Sequence, residues 1–132
     1  VPVRLEVTPD VDLLVDGRPL GRSPWAGTLP AGRRVITLLD RAQGINTTRV
    51  LVLRGERVTE EIVLQKGSVS VTAPEGGVVS IDGLQVGVAP LRGDLPLYEG
   101  QHVIQVLVGP LKWREAFTLQ PRQRVSFNVE AE

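Results

Sequence analysis

The sequence predicts an all-β protein built as two tandem small antiparallel β-sandwich domains related by an internal repeat. Three observations carry this expectation. Leu14-Val15-Asp16-Gly17, followed by Gly21 and Ser23-Pro24, returns about 66 residues later as Ser80-Ile81-Asp82-Gly83, followed by Gly87 and Ala89-Pro90. A period of this size exceeds the usual solenoid repeat and reads as two copies of one small domain. Short apolar–polar alternations recur between turn residues, and no stretch carries a helical period. Finally, 14 glycines and 10 prolines punctuate the 132 residues, a length that suits one ordinary domain or two very small ones.

The elements follow in order. In the first strand Leu5 and Val7 alternate with Arg4, Glu6 and Thr8, and in its second copy Val69 and Val71 alternate with Ser68, Ser70 and Thr72. Strand side chains point to opposite faces at period two, so one face is apolar and one polar. A loop follows, Pro9-Asp10 or Pro74-Glu75-Gly76-Gly77, and then a strand in which Leu13 and Val15 match Val79 and Ile81. It ends at Asp16-Gly17 or Asp82-Gly83, a tight-hairpin signal because both residue types tolerate positive φ. The return arm reaches Gly21 or Gly87. Pro24 and Pro90 lack an N–H and belong at an edge or a strand start.

A further strand leads to Leu29-Pro30, matched with Leu95-Pro96. The turns after it, Ala31-Gly32 and Leu97-Tyr98-Glu99-Gly100, differ in length. The long apolar strand comes next, with Ile36 and Leu38 against Ile104 and Val106. Two strands complete each copy: Leu51 and Leu53 match Phe117 and Leu119, and Arg57-Val58-Thr59 matches Arg124-Val125-Ser126. In this alignment Glu60 falls where the second copy has Phe127. Either the register slips by one residue there, which would flip every side chain, or the glutamate lies near the edge of the inner face. The expected domains are 1–65 and 66–132, with a short, stiff junction at Gln65-Lys66-Gly67.

Composition narrows the function classes. Lys+Arg and Asp+Glu both total 15, so no basic excess points to nucleic acid or to an anionic membrane. The absence of cysteine excludes disulfides and thiolate metal sites. No apolar run reaches the roughly 20 residues of a membrane helix. The chain contains no methionine and is read as an excised domain pair or a processed product, with any targeting segment outside it.

Few residues suggest chemistry. His102 is the one histidine. A single His cannot anchor a typical zinc site, and it is read as solvated or hydrogen-bonded. Asp16 and Asp82 recur, and turn chemistry explains them and the glycine after each. Asp10, Asp12 and Glu75 lack the alternating oxygen ligands of a calcium loop. The serines have no nucleophile setting. Gly76-Gly77 precedes no helix and so makes no phosphate loop. Asn46-Thr47-Thr48 matches a glycosylation sequon by a short pattern only. Arg33, Arg34, Arg54 and Arg57 read as solvated faces or edge protection. Trp25 and Trp113 are the candidate ligand contacts, because exposed aromatics stack on sugars and are favoured at binding surfaces. Core or edge packing is the favoured reading of Trp113, and Trp25, matched with Leu91 of the second copy, is read as an apolar structural position. No cofactor and no metal is expected.

At these residues the chain resembles a tandem pair of PEGA domains. Ala73-Pro74-Glu75-Gly76-Gly77 is close to the motif that names that family, with Gly77 in place of its alanine, and Thr8-Pro9-Asp10 is a degenerate copy. The Asp-Gly hairpin, the later glycine, the Ser/Ala-Pro step, the Leu-Pro turn, the glycine before the long strand and an aromatic at Trp113 complete the pattern. The resemblance spans almost the whole chain and carries no catalytic or binding residues to transfer. It implies a non-catalytic interaction or spacer module of a larger bacterial cell-envelope or signalling protein. Its location would be extracytoplasmic, at the periplasm or cell surface. The expected partner is a protein, or other domains of the same parent chain. The alternative is a glycan- or peptidoglycan-binding module that uses an exposed tryptophan.

Overall fold

The computed structural model describes residues 1–130. It is all-β and divides into two compact units, Val1–Leu64 and a second beginning at Gln65. Each unit contains seven strands among the described residues, arranged as one three-stranded and one four-stranded sheet.

In the first unit the strands are β1 (Pro2–Thr8), β2 (Asp12–Val15), β3 (Arg18–Arg22), β4 (Trp25–Thr28), β5 (Gly32–Asp40), β6 (Ile45–Leu53) and β7 (Val58–Val63). In the second they are β8 (Lys66–Thr72), β9 (Val78–Ile81), β10 (Leu84–Val88), β11 (Leu95–Tyr98), β12 (Gly100–Val108), β13 (Leu111–Leu119) and β14 (Arg124–Asn128). The small sheets run β4-β1-β7 and β11-β8-β14; the large ones run β3-β2-β5-β6 and β10-β9-β12-β13. Most pairs are antiparallel. The exception is the same in both units: β1 pairs in parallel with β7, and β8 with β14. Strand alternation does not distinguish parallel from antiparallel partners, so this pairing had no signature in the sequence.

The apolar face expected of each strand lines the core. Val3, Leu5, Val7, Leu13, Val15, Ile36, Leu38 and Leu53 are buried in the first unit. Val69, Val79, Ile81, Ile104 and Val106 form the centre of the second. Both hairpins turn on consecutive positive φ values, 49° and 82° at Asp16-Gly17 and 53° and 82° at Asp82-Gly83. That is the turn whose twist matches two antiparallel strands.

Strand pairing corrects the alignment in three places. Leu5 pairs with Trp25 while its counterpart Val69 pairs with Leu95, so Trp25 occupies the place of Leu95 in the ladder. Leu29 bonds back to Val1 as Glu99 bonds back to Gln65, so Leu29 corresponds to Glu99 and not to Leu95. The first unit therefore has the longer crossover into its long strand, and the second has its extra residues at Leu91–Asp94, before β11. Lastly, Leu5 pairs with Glu60 and Val69 with Val125, while Val7 pairs with Ile62 and Val71 with Phe127. Glu60 is thus the counterpart of Val125. It lies half-buried on the inner face of edge strand β7. The slip is two residues, which keeps every side chain on its own face.

Candidate functional site

A polar arrangement that recurs in both units is built at the Asp-Gly hairpin. The hairpin aspartate binds the neighbouring long strand in both directions. Asp16 N–H donates to Val35 O at 2.9 Å, and Val35 N–H donates to Asp16 Oδ1 at 3.0 Å. In the second unit Asp82 N–H donates to Val103 O at 2.8 Å, and Val103 N–H donates to Asp82 Oδ1 at 2.9 Å. Each carboxylate thus extends its sheet past the end of the hairpin, a stronger role than fixing its own turn.

The second carboxylate oxygen is held differently in the two copies. In the first unit Arg34 Nη1 donates to Asp16 Oδ2 at 3.2 Å, while Nε and Nη2 donate to the carbonyls of Pro30 and Ala31 at 3.2 and 2.8 Å. In the second, His102 Nδ1 lies 2.6 Å from Asp82 Oδ2 and Nε2 lies 2.7 Å from Tyr98 O. Both side chains bridge a hairpin carboxylate to carbonyls near the crossover between the two sheets. The longer crossover of the first unit is matched by the longer side chain. The repeat itself carries the signal for this pairing: Gly32-Arg33-Arg34 corresponds to Gly100-Gln101-His102.

The electrostatics follow from these contacts. The Val35 N–H holds Asp16 below the usual carboxylate range; burial opposes it, and the Arg34 guanidinium adds to the lowering. Burial pushes His102 down, but its bonds to Asp82 and to the Tyr98 carbonyl outweigh that and raise it. The His102 ring is buried and packs 5.6 Å from Phe117, which continues to Phe127 and Trp113. Glu99, adjacent in the chain to Tyr98, is also buried, and its Oε2 accepts from the Gln65 N–H. A buried glutamate had no signature in the sequence, where its counterpart is the apolar Leu29.

Trp113 is half-buried on β13, its ring edge-on to Phe127 at 5.6 Å, and packs against the core of the second unit. Trp25 is half-buried on edge strand β4. It pairs with buried Leu5 and so turns toward the core. Its indole covers Gly27, where a Cβ would come within 2.6 Å of the ring, and its edge approaches Gly21. In the second unit Leu91 covers Gly87, the counterpart of Gly21, and Leu95 takes the place in the strand. One indole thus does the packing of two leucines. Trp25 and Trp113 belong to different units.

Asp12 is joined at 3.3 Å to Arg22, which also donates to Asp40 and to the Asp10 carbonyl. Asp40 in turn accepts from Gln43, and these bonds, with Gln43 first and Arg22 second, lower its pKa. Among the described residues no three His, Asp or Glu side chains gather as a metal site. Two shallow open depressions flank the hairpins. One, of about 430 Å³, is lined by Asp16, Arg18, Leu20, Leu29 and Arg34; the other, of about 390 Å³, by Ser80, Asp82, Val103, Gln105 and Arg114. No family model matches the chain, nor does any curated protein or any solved structure.

Proposed function

We propose that the chain is a pair of PEGA-like domains serving as a non-catalytic interaction and spacer module of a larger extracytoplasmic envelope or signalling protein. The observation that carries this reading is the fate of the recurring charged groups. Asp16 with Arg34, and Asp82 with His102, are engaged in tying a hairpin to a crossover. Such bonds rigidify a small domain, which suits a module that holds or spaces other parts. The seven-strand order repeated in both units supports the resemblance to a duplicated domain. The surface offered to a protein partner includes edge strand β6, with Val50 and Val52 exposed along it. An exposed strand edge is a standard acceptor of a partner strand.

The test pairs two measurements on the folded chain. A photo-crosslinking residue at Val52, introduced into the parent protein in its own cell, is expected to yield a discrete protein adduct. Co-sedimentation with insoluble cell-wall sacculi is expected to show no retention. Retention that is lost in a Trp25→Ala, Trp113→Ala variant still folded by circular dichroism overturns the proposal in favour of glycan binding.

A further inference from the structure

The Asp82–His102 pair has one property that its counterpart lacks: it can lose a proton. The Tyr98 carbonyl only accepts, so Nε2 must carry hydrogen to make its 2.7 Å contact. Nδ1 lies 2.6 Å from Asp82 Oδ2, so a hydrogen must lie between those two atoms as well. The pair therefore holds one proton more than a neutral imidazole beside a carboxylate. The His102 side chain is 0% exposed, so both ring nitrogens rely on these two partners. In the first unit a guanidinium makes the equivalent bridge and stays charged at all ordinary pH.

We propose that one shared proton in the Asp82–His102–Tyr98 bridge locks the second unit, and that its loss as pH rises loosens this unit while the arginine-bridged first unit is unaffected. What loosens is the tie between the β9–β10 hairpin and the β11–β12 crossover. Asp82 also lines the depression with Ser80, Gln105 and Arg114, so the charge and freedom of that surface change together. The bonds to Asp82 and to the Tyr98 carbonyl favour the protonated ring. Asp82 faces it from the hairpin, and buried Glu99 lies beside Tyr98 in the crossover. Glu115, exposed on β13 and paired with Ile104, stands two residues before Phe117, the residue paired with His102. From β8 comes one opposing charge, Lys66, whose Nζ stands 4.9 Å over the Tyr98 ring. On β14, Arg124 is exposed and paired with Asp94, and Phe127 packs behind Phe117. A raised histidine stabilises fully below its unfolded value of 6.5, and that contribution fades as pH rises through the folded value.

Because the chain has one histidine, a nuclear magnetic resonance titration of the whole chain across roughly pH 5 to 10 reads it directly. The His102 ring is expected to titrate above 6.5, its unperturbed value. The Val103 amide, bonded to Asp82, should shift with the same midpoint, and the Val35 amide should stay flat. A midpoint at or below 6.5 overturns the proposal. So does a Val103 amide that ignores the ring, or a Val35 amide that follows it. Asp82→Asn supplies a second test, because its amide can donate to a neutral Nδ1 while Nε2 still donates to Tyr98. The ring midpoint should fall below that of the parent chain, and an unchanged midpoint overturns the proposal.

Discussion

Gly67 and Gly87 look alike on paper and should respond very differently to alanine. A Cβ at Gly67 would lie 2.5 Å from the Gln123 carbonyl oxygen and 3.0 Å from Leu119 Cδ2 and Cγ. Ordinary contacts begin near about 3.5 Å, so β8 and the turn before β14 must part by about 1 Å. The same carbonyl accepts the Ser68 N–H at 2.9 Å, so the separation also breaks that bond. Overpacking costs about 1–3 kcal/mol and a lost backbone bond about 1 kcal/mol. The stiffer unfolded chain returns about 0.5 kcal/mol. The expected net loss is about 1.5–3.5 kcal/mol, or a urea midpoint lower by about 0.5–3.5 M at slopes of about 1–3 kcal/mol/M. At Gly87 the nearest atom is closer than Leu119 is to Gly67, 2.6 Å, but it is Leu91 Cδ2, the far end of a half-buried side chain. Leu91 can rotate away, so Gly87→Ala should cost less than about 1 kcal/mol. The assay is urea unfolding followed by Trp113 fluorescence in a Trp25→Phe background. Equal midpoints for the two variants would refute the claim that a backbone obstruction differs from a side-chain one here.

Ile36 and Ile104 are both 0% exposed at matching places in the long strands, paired with Val15 and Ile81. Alanine at either should cost about 2–5 kcal/mol in thermal or urea unfolding, and a negligible effect at one would contradict a shared core plan. Asp40, lowered by Gln43 and Arg22, contributes stability that is whole above its unfolded value of 3.8 and fades as pH falls through the folded one. Asp40→Asn should therefore flatten the acid limb of the stability–pH profile. An unaltered acid limb in unfolding measured from neutral to acid pH would count against the Arg22–Asp40–Gln43 network.

Turn chemistry made much of this fold legible. Asp16-Gly17 and Asp82-Gly83 announce their hairpins because positive φ excludes most other residue pairs there. The core faces were legible for the same local reason, since Leu13 with Val15 and Val79 with Ile81 alternate with polar neighbours. What failed was anything set between strands far apart in the chain. Nothing in Val58–Val63 says that it runs parallel to Pro2–Thr8. The match of Leu29-Pro30 with Leu95-Pro96 followed residue identity, whereas the ladders place Leu29 opposite Glu99 in the repeat. The site was half legible: the recurrence of Asp16 and Asp82 stood out, but Arg34 and His102 share no chemistry beyond charge, so their common role emerges only from geometry.

The parallel β1–β7 and β8–β14 ladders have a mechanical consequence. Each joins the first and last strands of its unit over six and five residue pairs respectively. Strands running in the same direction place the entry and exit of the chain at opposite ends of the unit. Tension applied through the neighbouring chain then pulls the two strands past one another lengthwise, loading the whole row of bonds in shear rather than one at a time. Forced unfolding is governed by the barrier to the first rupture, and a ladder loaded in parallel raises that barrier. We expect each unit to rupture at higher force in single-molecule pulling through its own termini than through points that unzip a hairpin.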